Sequence, residues 1–138
     1  MHFKNRKKYL KNMNFPNKLK YTRDHEWLRT EGDEAVVGIT AFAQNALGEI
    51  IYVDIDTEGE TLTAGDRFGA VEAVKTVSDL LMPVSGTILE INPVLETSPI
   101  TVNNDPYGEG WLIRIHLTDQ AELDGLMSAS IYEAFTKE

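Results

Sequence analysis

The sequence predicts a single, mainly β domain, built as a small β-sandwich or flattened barrel with short helices packed on its ends. Three observations predict this fold class. The 138 residues provide for one hydrophobic core, and the 42% hydrophobic and 25% charged residues are typical of a globular chain. Short segments rich in β-branched and aromatic residues then recur along the chain, with turn residues between them.

The individual elements follow from local composition and from helix-capping residues. A short helix is predicted between the first two strands, where Thr40 is placed to cap its start and Gly48 to end it. Helical spacing returns near the C-terminus, where a helix places Ile131, Tyr132 and Phe135 on one face. The predicted strands span residues 34–40, 49–55, 67–74, 77–82, 86–91 and 111–117, and the C-terminal helical segments span 118–123 and 128–135.

Residues 1–14 are predicted to be a basic, disordered extension, and residues 15–138 a single domain. Seven basic and no acidic residues lie in positions 1–20. We favour an upstream start codon ahead of Met13 over a targeting peptide, because the segment lacks an apolar core. A nucleic-acid-binding arm is disfavoured, because the acidic body would oppose a polyanion. No apolar run approaches the ~18 residues of a membrane span, so we expect neither nucleic acid nor a membrane as partner.

The sequence lacks the residue types and motifs that most kinds of catalytic or metal site require. The chain has no cysteine, which excludes disulfides, thiolate nucleophiles and cysteine-ligated metals. His2, His25 and His116 do not have the spacing of metal ligands. Neither a phosphate-binding loop nor a nucleophile elbow is present. The sequence therefore predicts no metal site and no catalytic residue of these kinds.

A single lysine stands out in the acidic body of the chain. Beyond position 20 there are six basic and 22 acidic side chains, and Lys75 is the only lysine between Lys20 and Lys137. It lies between two apolar, strand-like segments, at or near the tip of a predicted hairpin. An exposed, unpaired amine on rigid strands, with no competing lysine nearby, meets the requirements of an enzyme-recognised acylation site. The alternative interpretation is an ordinary surface lysine.

Eight segments, taken in their order along the chain, resemble those of a known family. With them, the chain from Tyr21 to Phe135 resembles the H protein of the glycine cleavage system, a family of lipoyl carriers. The resemblance implies a lipoyl/biotinyl-type fold, a flattened barrel-sandwich of two small sheets, with lipoic acid attached to the Lys75 amine. The segments are Tyr21-Thr-Arg-Asp-His-Glu-Trp27, Gly38-Ile-Thr40, Ala43-Gln44, Leu47-Gly48-Glu49, Val71-Glu72-Ala-Val-Lys75, Met82-Pro-Val-Ser-Gly86, Glu90-Ile-Asn92 and Pro106-Tyr-Gly-Glu-Gly-Trp111.

The resemblance also implies a role and a set of partners. Glu72, Gly59 and Gly86 fit the lipoyl-domain pattern, in which they serve recognition by the lipoyl-attaching enzymes and the tight turning of the strands. The implied protein is a non-catalytic, monomeric carrier of the aminomethyl intermediate and of reducing equivalents. Its implied partners are a pyridoxal-phosphate glycine decarboxylase, a tetrahydrofolate aminomethyltransferase and a flavin dihydrolipoyl dehydrogenase. The implied compartment is the bacterial cytoplasm, or the mitochondrial matrix in a eukaryote.

A surface groove that shelters the loaded arm is a further implication. At matching positions, Glu26 and Asp79 are candidates to face the ammonium group of the arm, and His25 and Trp27 are candidates to line the groove. We therefore expect these four side chains to lie near one another.

Two positions depart from the family pattern. Asp24 stands where many members have Ser or Thr, and Ala46 where some have His, so the groove is expected to be lined differently. Three alternatives stay open: an H-like protein that relays lipoyl groups to other lipoyl-dependent enzymes, a biotinyl carrier, and an unmodified interaction domain on the same scaffold. Biotinyl carriers usually flank the modified lysine with methionines, whereas Val74 and Thr76 flank Lys75.

Overall fold

The structure, a computed structural model, describes residues 15–138, and the extension predicted over residues 1–14 lies outside the described residues. Within this range the chain forms two antiparallel sheets with short helices. The strands are β1 (Lys20–Tyr21), β2 (Glu26–Glu31), β3 (Glu34–Ile39), β4 (Ile50–Asp54), β5 (Thr61–Leu62), β6 (Arg67–Ala73), β7 (Val77–Leu81), β8 (Gly86–Ile91) and β9 (Ile113–Leu117). The helices are α1 (Ala41–Leu47), α2 (Val94–Thr97), α3 (Thr101–Asn104), a 3-10 helix (Gln120–Gly125) and α4 (Ala129–Thr136).

The two sheets differ in size and in what they carry. The larger sheet has the strand order β1-β2-β3-β9-β8-β5, and the smaller one has the order β4-β6-β7. The small sheet is built on the β6–β7 hairpin, and β4 pairs with β6 so that Ile50 lies opposite Ala73. The turn that contains Lys75 therefore belongs to the small sheet.

The main hydrophobic core lies between the two sheets. Leu28 and Ile115 of the larger sheet are buried in the same cluster as Val71 and Leu80 of the smaller sheet. Each such side chain contributes roughly 1.5–3 kcal/mol to stability when it is fully buried. Packing of this kind fixes the small sheet on the larger one.

A second hydrophobic cluster lies beneath α4. Tyr21 and Tyr132 are fully buried and stack with their ring centroids 4.7 Å apart. Trp27 of β2 belongs to the same cluster, and its ring lies against Gly38 on β3. A Cβ atom at position 38 would come within 2.5 Å of that ring. Glycine at this position therefore makes room for the indole.

The mainly β fold with two small sheets and a C-terminal helix is confirmed. Each predicted strand is present within two residues of its predicted bounds, and the Thr40 hydroxyl caps α1 by accepting a hydrogen bond from the Ala43 N–H. The sequence analysis missed β1, β2, β5, α2 and α3. Four of these have two to four residues, too few to show a period, and β2 begins and ends with glutamate.

Of the three residues predicted to share one face of α4, Ile131 does not pack in the core. Its side chain is 59% exposed, and the buried positions of α4 are Ala129, Tyr132 and Thr136, with Phe135 half-buried. The helix is rotated toward Tyr132 because this side chain fills the second cluster and also makes hydrogen bonds there.

The Tyr132 hydroxyl ties α4 to the body of the domain. It lies 2.7 Å from His25 Nδ1 and 2.8 Å from Thr40 Oγ1, so one phenol connects α4, the β1–β2 turn and the start of α1. Burial raises the pKa of Tyr132 and lowers the pKa of His25. Both shifts favour the neutral forms, which suit a hydrogen-bonded network with a buried threonine.

We expect Tyr132→Phe to lower the free energy of unfolding by about 1–3 kcal/mol, because the Thr40 and His25 groups lose a buried hydrogen-bond partner. Urea unfolding followed by circular dichroism measures this change. Tyr52→Phe is the matched control, since Tyr52 is 57% exposed, and it should change the free energy by no more than about 0.5 kcal/mol. Equal losses in the two variants would contradict a bridging role for the Tyr132 hydroxyl.

Candidate functional site

Lys75 stands on the tight turn that joins β6 to β7. The Ala73 N–H donates a hydrogen bond to the Thr76 carbonyl oxygen across the turn, at 2.8 Å. The last strand pair before the turn is Glu72 opposite Val77. Lys75 itself is exposed. The structure therefore presents this amine at the end of two paired strands, which restrict the motion of its attachment point.

The surroundings of Lys75 fit a site of amide formation. Among residues 15–138, no carboxylate lies within ion-pair distance of its amine. Its neighbours on the hairpin, Val74 and Val77, are 70% and 62% exposed, and the exposed Tyr52 lies on the adjacent strand β4. An acylating enzyme would break no existing interaction of the amine, and the apolar side chains offer it a surface to contact.

The other residues of the predicted lipoylation pattern do not all lie at the hairpin. Glu72 is exposed on β6, in the small sheet with Lys75. Gly59, with φ +88°, precedes β5, and Gly86 begins β8, so both lie beside the larger sheet. A Cβ atom at Gly86 would lie 2.7 Å from the carbonyl oxygen of His116 on β9. Glycine is needed there for a close approach between strands.

Glu26, at the start of β2, is a buried carboxyl that connects the two sheets. Its side chain is 2% exposed. Oε2 accepts a hydrogen bond from the Leu81 N–H of β7 at 2.8 Å, and Oε1 lies 3.4 Å from Thr22 Oγ1. Burial raises the pKa of Glu26 to about 8; the Leu81 hydrogen bond opposes this shift, and the charge of Asp24 adds to it. The raised pKa favours the uncharged carboxyl of Glu26 over the carboxylate.

Asp79 lies on β7, two residues before the amide that binds Glu26. Asp79 and Leu81 are separated by about 7 Å along this strand. Asp79 is exposed and pairs with Arg67 of β6, with 3.0 Å between Oδ1 and Nε. Such an exposed pair contributes only about 0–1 kcal/mol, so Asp79 is free to exchange its partner. Asp79 and the Leu81 amide that binds Glu26 both lie on β7, the strand that follows the Lys75 turn.

His25 and Trp27, the neighbours of Glu26, face away from β7. His25 is half-buried and bonded to Tyr132 under α4. Trp27 is fully buried, and its Nε1 donates to the Pro106 carbonyl oxygen at 2.9 Å. The prediction that Trp27 lines a surface groove is wrong, because its indole has no exposed surface. The structure thus brings Glu26 and Asp79 to one strand and leaves His25 and Trp27 on the other side of β2.

Sequence reasoning missed three partners of these carboxyls: the Leu81 amide, the Thr22 hydroxyl and the Arg67 guanidinium. A backbone amide carries no sequence signal. The predicted β6–β7 hairpin was the one signal that could have identified Arg67, because pairing of the two strands brings Arg67 close to Asp79.

The two positions that depart from the family pattern are both exposed. Ala46 lies on α1, and Asp24 lies on the β1–β2 turn, two residues before Glu26. Asp24 and Thr22 also line an open depression of about 450 Å³, together with Met82 and Pro83. Arg23 also lines this depression, whereas Glu26 does not.

Comparison with known proteins shows the family of the chain. A model of the family described as Glycine cleavage H-protein matches residues 19–138. The glycine cleavage system H protein of Bacteroides fragilis is 58% identical over 122 residues, which are 88% of this chain and 97% of that protein. That of Symbiobacterium thermophilum is 51% identical over 125 residues, 91% of this chain and 98% of that protein. The chain belongs to the glycine cleavage H-protein family.

A solved structure supports the same assignment. The crystal structure of a glycine cleavage system H protein from Mycobacterium marinum matches with a TM-score of 0.80 and 39% identity, over 90% of this chain and 100% of that chain. The glycine cleavage H-protein family comprises the lipoyl carriers of the glycine cleavage system, which are not catalysts. The predicted family, fold type, carrier function and non-enzymatic character are confirmed.

Two features are absent from residues 15–138. This part of the chain holds no group of three or more side chains that could bind a metal ion. No helix within it is long and apolar enough to cross a membrane.

We expect the free energy of unfolding to depend on pH through the titration of Glu26. Because its pKa is raised in the folded state, the folded state holds a proton that the unfolded state has lost between pH 4.5 and about 8. The stability contributed by this group is complete below pH 4.5 and falls by up to about 1.4 kcal/mol per pH unit as the pH rises toward 8.

The free energy of unfolding of the parent, minus that of Glu26→Gln, should therefore decrease between pH 5.5 and 7.5 in urea titrations. Glu58→Gln, at an exposed position, corrects for the loss of one negative charge. A difference between the parent and Glu26→Gln that stays constant over this range would show that Glu26 is not held neutral.

Proposed function

We propose that Lys75 carries lipoic acid in amide linkage, and that the chain moves this group between the components of glycine cleavage. The observation that carries the proposal is the exposed Lys75 amine, unpaired among the described residues, at the tip of the β6–β7 hairpin. When attached, lipoic acid supplies a pair of sulfur atoms to a chain that has no cysteine. The strands hold the attachment point, so each partner meets its cargo at high effective concentration.

The proposed partners are the pyridoxal-phosphate glycine decarboxylase, the tetrahydrofolate aminomethyltransferase, the flavin dihydrolipoyl dehydrogenase and the lipoyl-attaching enzymes. The chain would meet them as a monomer in the bacterial cytoplasm. Its net charge of −9 supports docking to basic surfaces. Contacts between exposed charges are weakened by salt and allow rapid exchange between partners.

Glu72 is the proposed recognition residue for lipoylation. It is exposed on β6, three residues before Lys75, and it lies between Tyr52 of β4 and Val77 of β7 in one cross-strand row. An attaching enzyme that binds a carboxylate flanked by two exposed apolar side chains would recognise this row. Gly59 and Gly86 are proposed to act indirectly, through the shape of the β5–β8 edge.

Intact mass tests the attachment site. The parent, produced in cells with active lipoylation, should gain one lipoyl-sized increment, and Lys75→Arg should lose it completely, because the arginine side chain forms no such amide. Lys137→Arg is the matched control, since it removes another exposed lysine of the described chain, and it should keep the increment. An increment that persists in Lys75→Arg, or a parent that stays unmodified, would refute the proposal.

We further propose that Glu26 and Asp79 bind the ammonium group of the aminomethyl cargo when the arm lies along β7. Three observations support this: the position of Asp79 on the strand that follows Lys75, the anchoring of Glu26 on β7, and the exposed Arg67 pair that a second cation can replace. His25 would position this region from behind, through its contact with Tyr132.

The paired variant Glu26→Gln with Asp79→Asn should lose the aminomethyl group from the isolated, loaded protein roughly tenfold faster or more. One charge-assisted hydrogen bond of about 1.5–3 kcal/mol corresponds to a factor of that size. Release of ammonia over time measures the rate. Asp56→Asn with Glu58→Gln, both at exposed positions, makes the same change in net charge and should leave the rate unaltered. A rate shared by the parent and both pairs would rule out the carboxyl site.

A further inference from the structure

We propose that a groove beside the open edge of β4 binds an extended, basic segment of a partner protein, which adds to the small sheet as a further strand. This β4 groove has a volume of about 400 Å³ and is lined by residues 52–55, 58, 91–93, 95 and 96. A part for the bound segment in serving the Lys75 arm rests on the proposed function, whereas the binding of the segment to the groove does not.

The edge of β4 has backbone groups to offer an added strand. Within residues 15–138, β4 pairs with β6 on one side and with no strand on the other. Alternate N–H and C=O groups of such a strand face its open edge. The Ile50 N–H donates to Asn103 Oδ1 at 2.9 Å, but no backbone group outside the sheet bonds to residues 51–54. Most of this edge is therefore open to a new partner.

The floor of the β4 groove is apolar. Val53, Ile55 and Ile91 line it and pack against the main hydrophobic core, and Leu95 is buried there. Successive side chains of an extended segment point to opposite faces, so every second side chain of an added strand can contact this floor. Main-chain hydrogen bonds combined with contacts to alternate side chains are the usual mode of strand addition.

The walls of the β4 groove are acidic and lack counter-charges. Asp54 belongs to β4, Glu58 follows that strand, and Glu96 lies on α2; all three are exposed. No basic residue lines the groove, and no basic side chain among residues 15–138 lies within ion-pair distance of these carboxylates. Charge complementarity therefore favours an occupant with lysine or arginine side chains.

The same charges disfavour other occupants of the edge. A second copy of the chain carries its own net charge of −9. Two β4 strands paired edge to edge would bring the Asp54, Glu58 and Glu96 carboxylates of both copies together, and like charges that face each other across strands are destabilising. Acidic side chains at an edge thus guard it against self-association. They give no such protection against a basic strand.

The β4 groove adjoins the surface that presents Lys75. Tyr52 lines the groove and is also one of the exposed apolar side chains near the hairpin. It lies opposite Glu72, three residues before Lys75. Lys75 itself does not line the groove. A partner whose basic segment binds there is oriented against this end of the molecule without covering the amine.

Peptide binding to the full chain with Lys75 unmodified tests the inference. The probe is a short synthetic peptide of alternating lysine and valine, with blocked ends. Followed by NMR, it should shift the resonances of the β4 groove and slow amide hydrogen exchange at the open edge of β4 by about fivefold or more at saturation. Added salt should weaken its binding. Exchange at β4 that stays unchanged at saturation would overturn strand addition.

The matched control peptide alternates lysine with proline. It has the same charge but lacks the N–H groups of the valines, so it should bind about fivefold more weakly or worse. Equal affinities of the two peptides would show attraction between charges without an added strand, and would overturn the inference.

The paired variant Asp54→Asn with Glu96→Gln tests the acidic walls. It should bind the lysine–valine peptide roughly tenfold more weakly, because two of the facing carboxylates are removed. Asp124→Asn with Glu138→Gln makes the same change in net charge at exposed positions that do not line the groove, and it should weaken binding by no more than about twofold. An equal loss in both pairs, or none in the first, would contradict recognition by the groove.

Two observations without peptide would assign the groove to another occupant and overturn an external partner. Exchange at β4 that slows as the protein concentration rises would identify a second copy. Groove resonances that move in Lys7→Gln with Lys8→Gln would identify residues 1–14. Failure of the peptide to bind overturns the inference and leaves the lipoylation of Lys75 untouched, whereas a missing lipoyl increment overturns the proposed function and leaves the peptide measurements valid.

Discussion

The hydrogen bond from the Leu81 amide to the Glu26 carboxyl fixes one sheet against the other. β7 is an edge strand of the small sheet, so part of its backbone has no strand partner. Glu26 of β2 supplies an acceptor for that edge from the larger sheet. Hydrophobic packing between the sheets is non-directional, whereas this bond specifies which residue of β7 lies beside the start of β2. The direction of the hairpin that carries Lys75 depends on this registration.

The small sheet serves as a support for one amine. β4 and β7 flank β6, and the Lys75 turn extends from the β6–β7 pair. Among the described residues, four of the six exposed large apolar side chains lie on β4 or on this hairpin: Ile51, Tyr52, Val74 and Val77. Exposed apolar surface of this kind typically marks contact with a partner. The fold therefore concentrates both the reactive group and the means of recognising it at one end of the molecule.

The sequence was sufficient to predict the features that depend on residues close together along the chain. Strands rich in β-branched residues, the Thr40 cap and the isolated Lys75 could all be found without coordinates. β1 and β5 could not, because two residues have no period and exist as strands only through pairing with distant partners. The burial of Glu26 was equally hidden, since a glutamate at a strand end normally faces solvent. Trp27 was misassigned because only the register of β2 with β3 reveals that Gly38 makes room for its ring.

The backbone at His25 explains how adjacent residues serve two different parts of the fold. Its φ of +66° lies in the left-handed region, which costs a residue with a side chain roughly 1–2 kcal/mol. The strained backbone is held by hydrogen bonds on both sides, from the His25 N–H to the Thr22 carbonyl oxygen and from the Thr40 N–H to the His25 carbonyl oxygen. It directs the imidazole to Tyr132 and the next side chain, Glu26, to β7. The docking of α4 and the placement of the buried carboxyl are therefore coupled through a single residue.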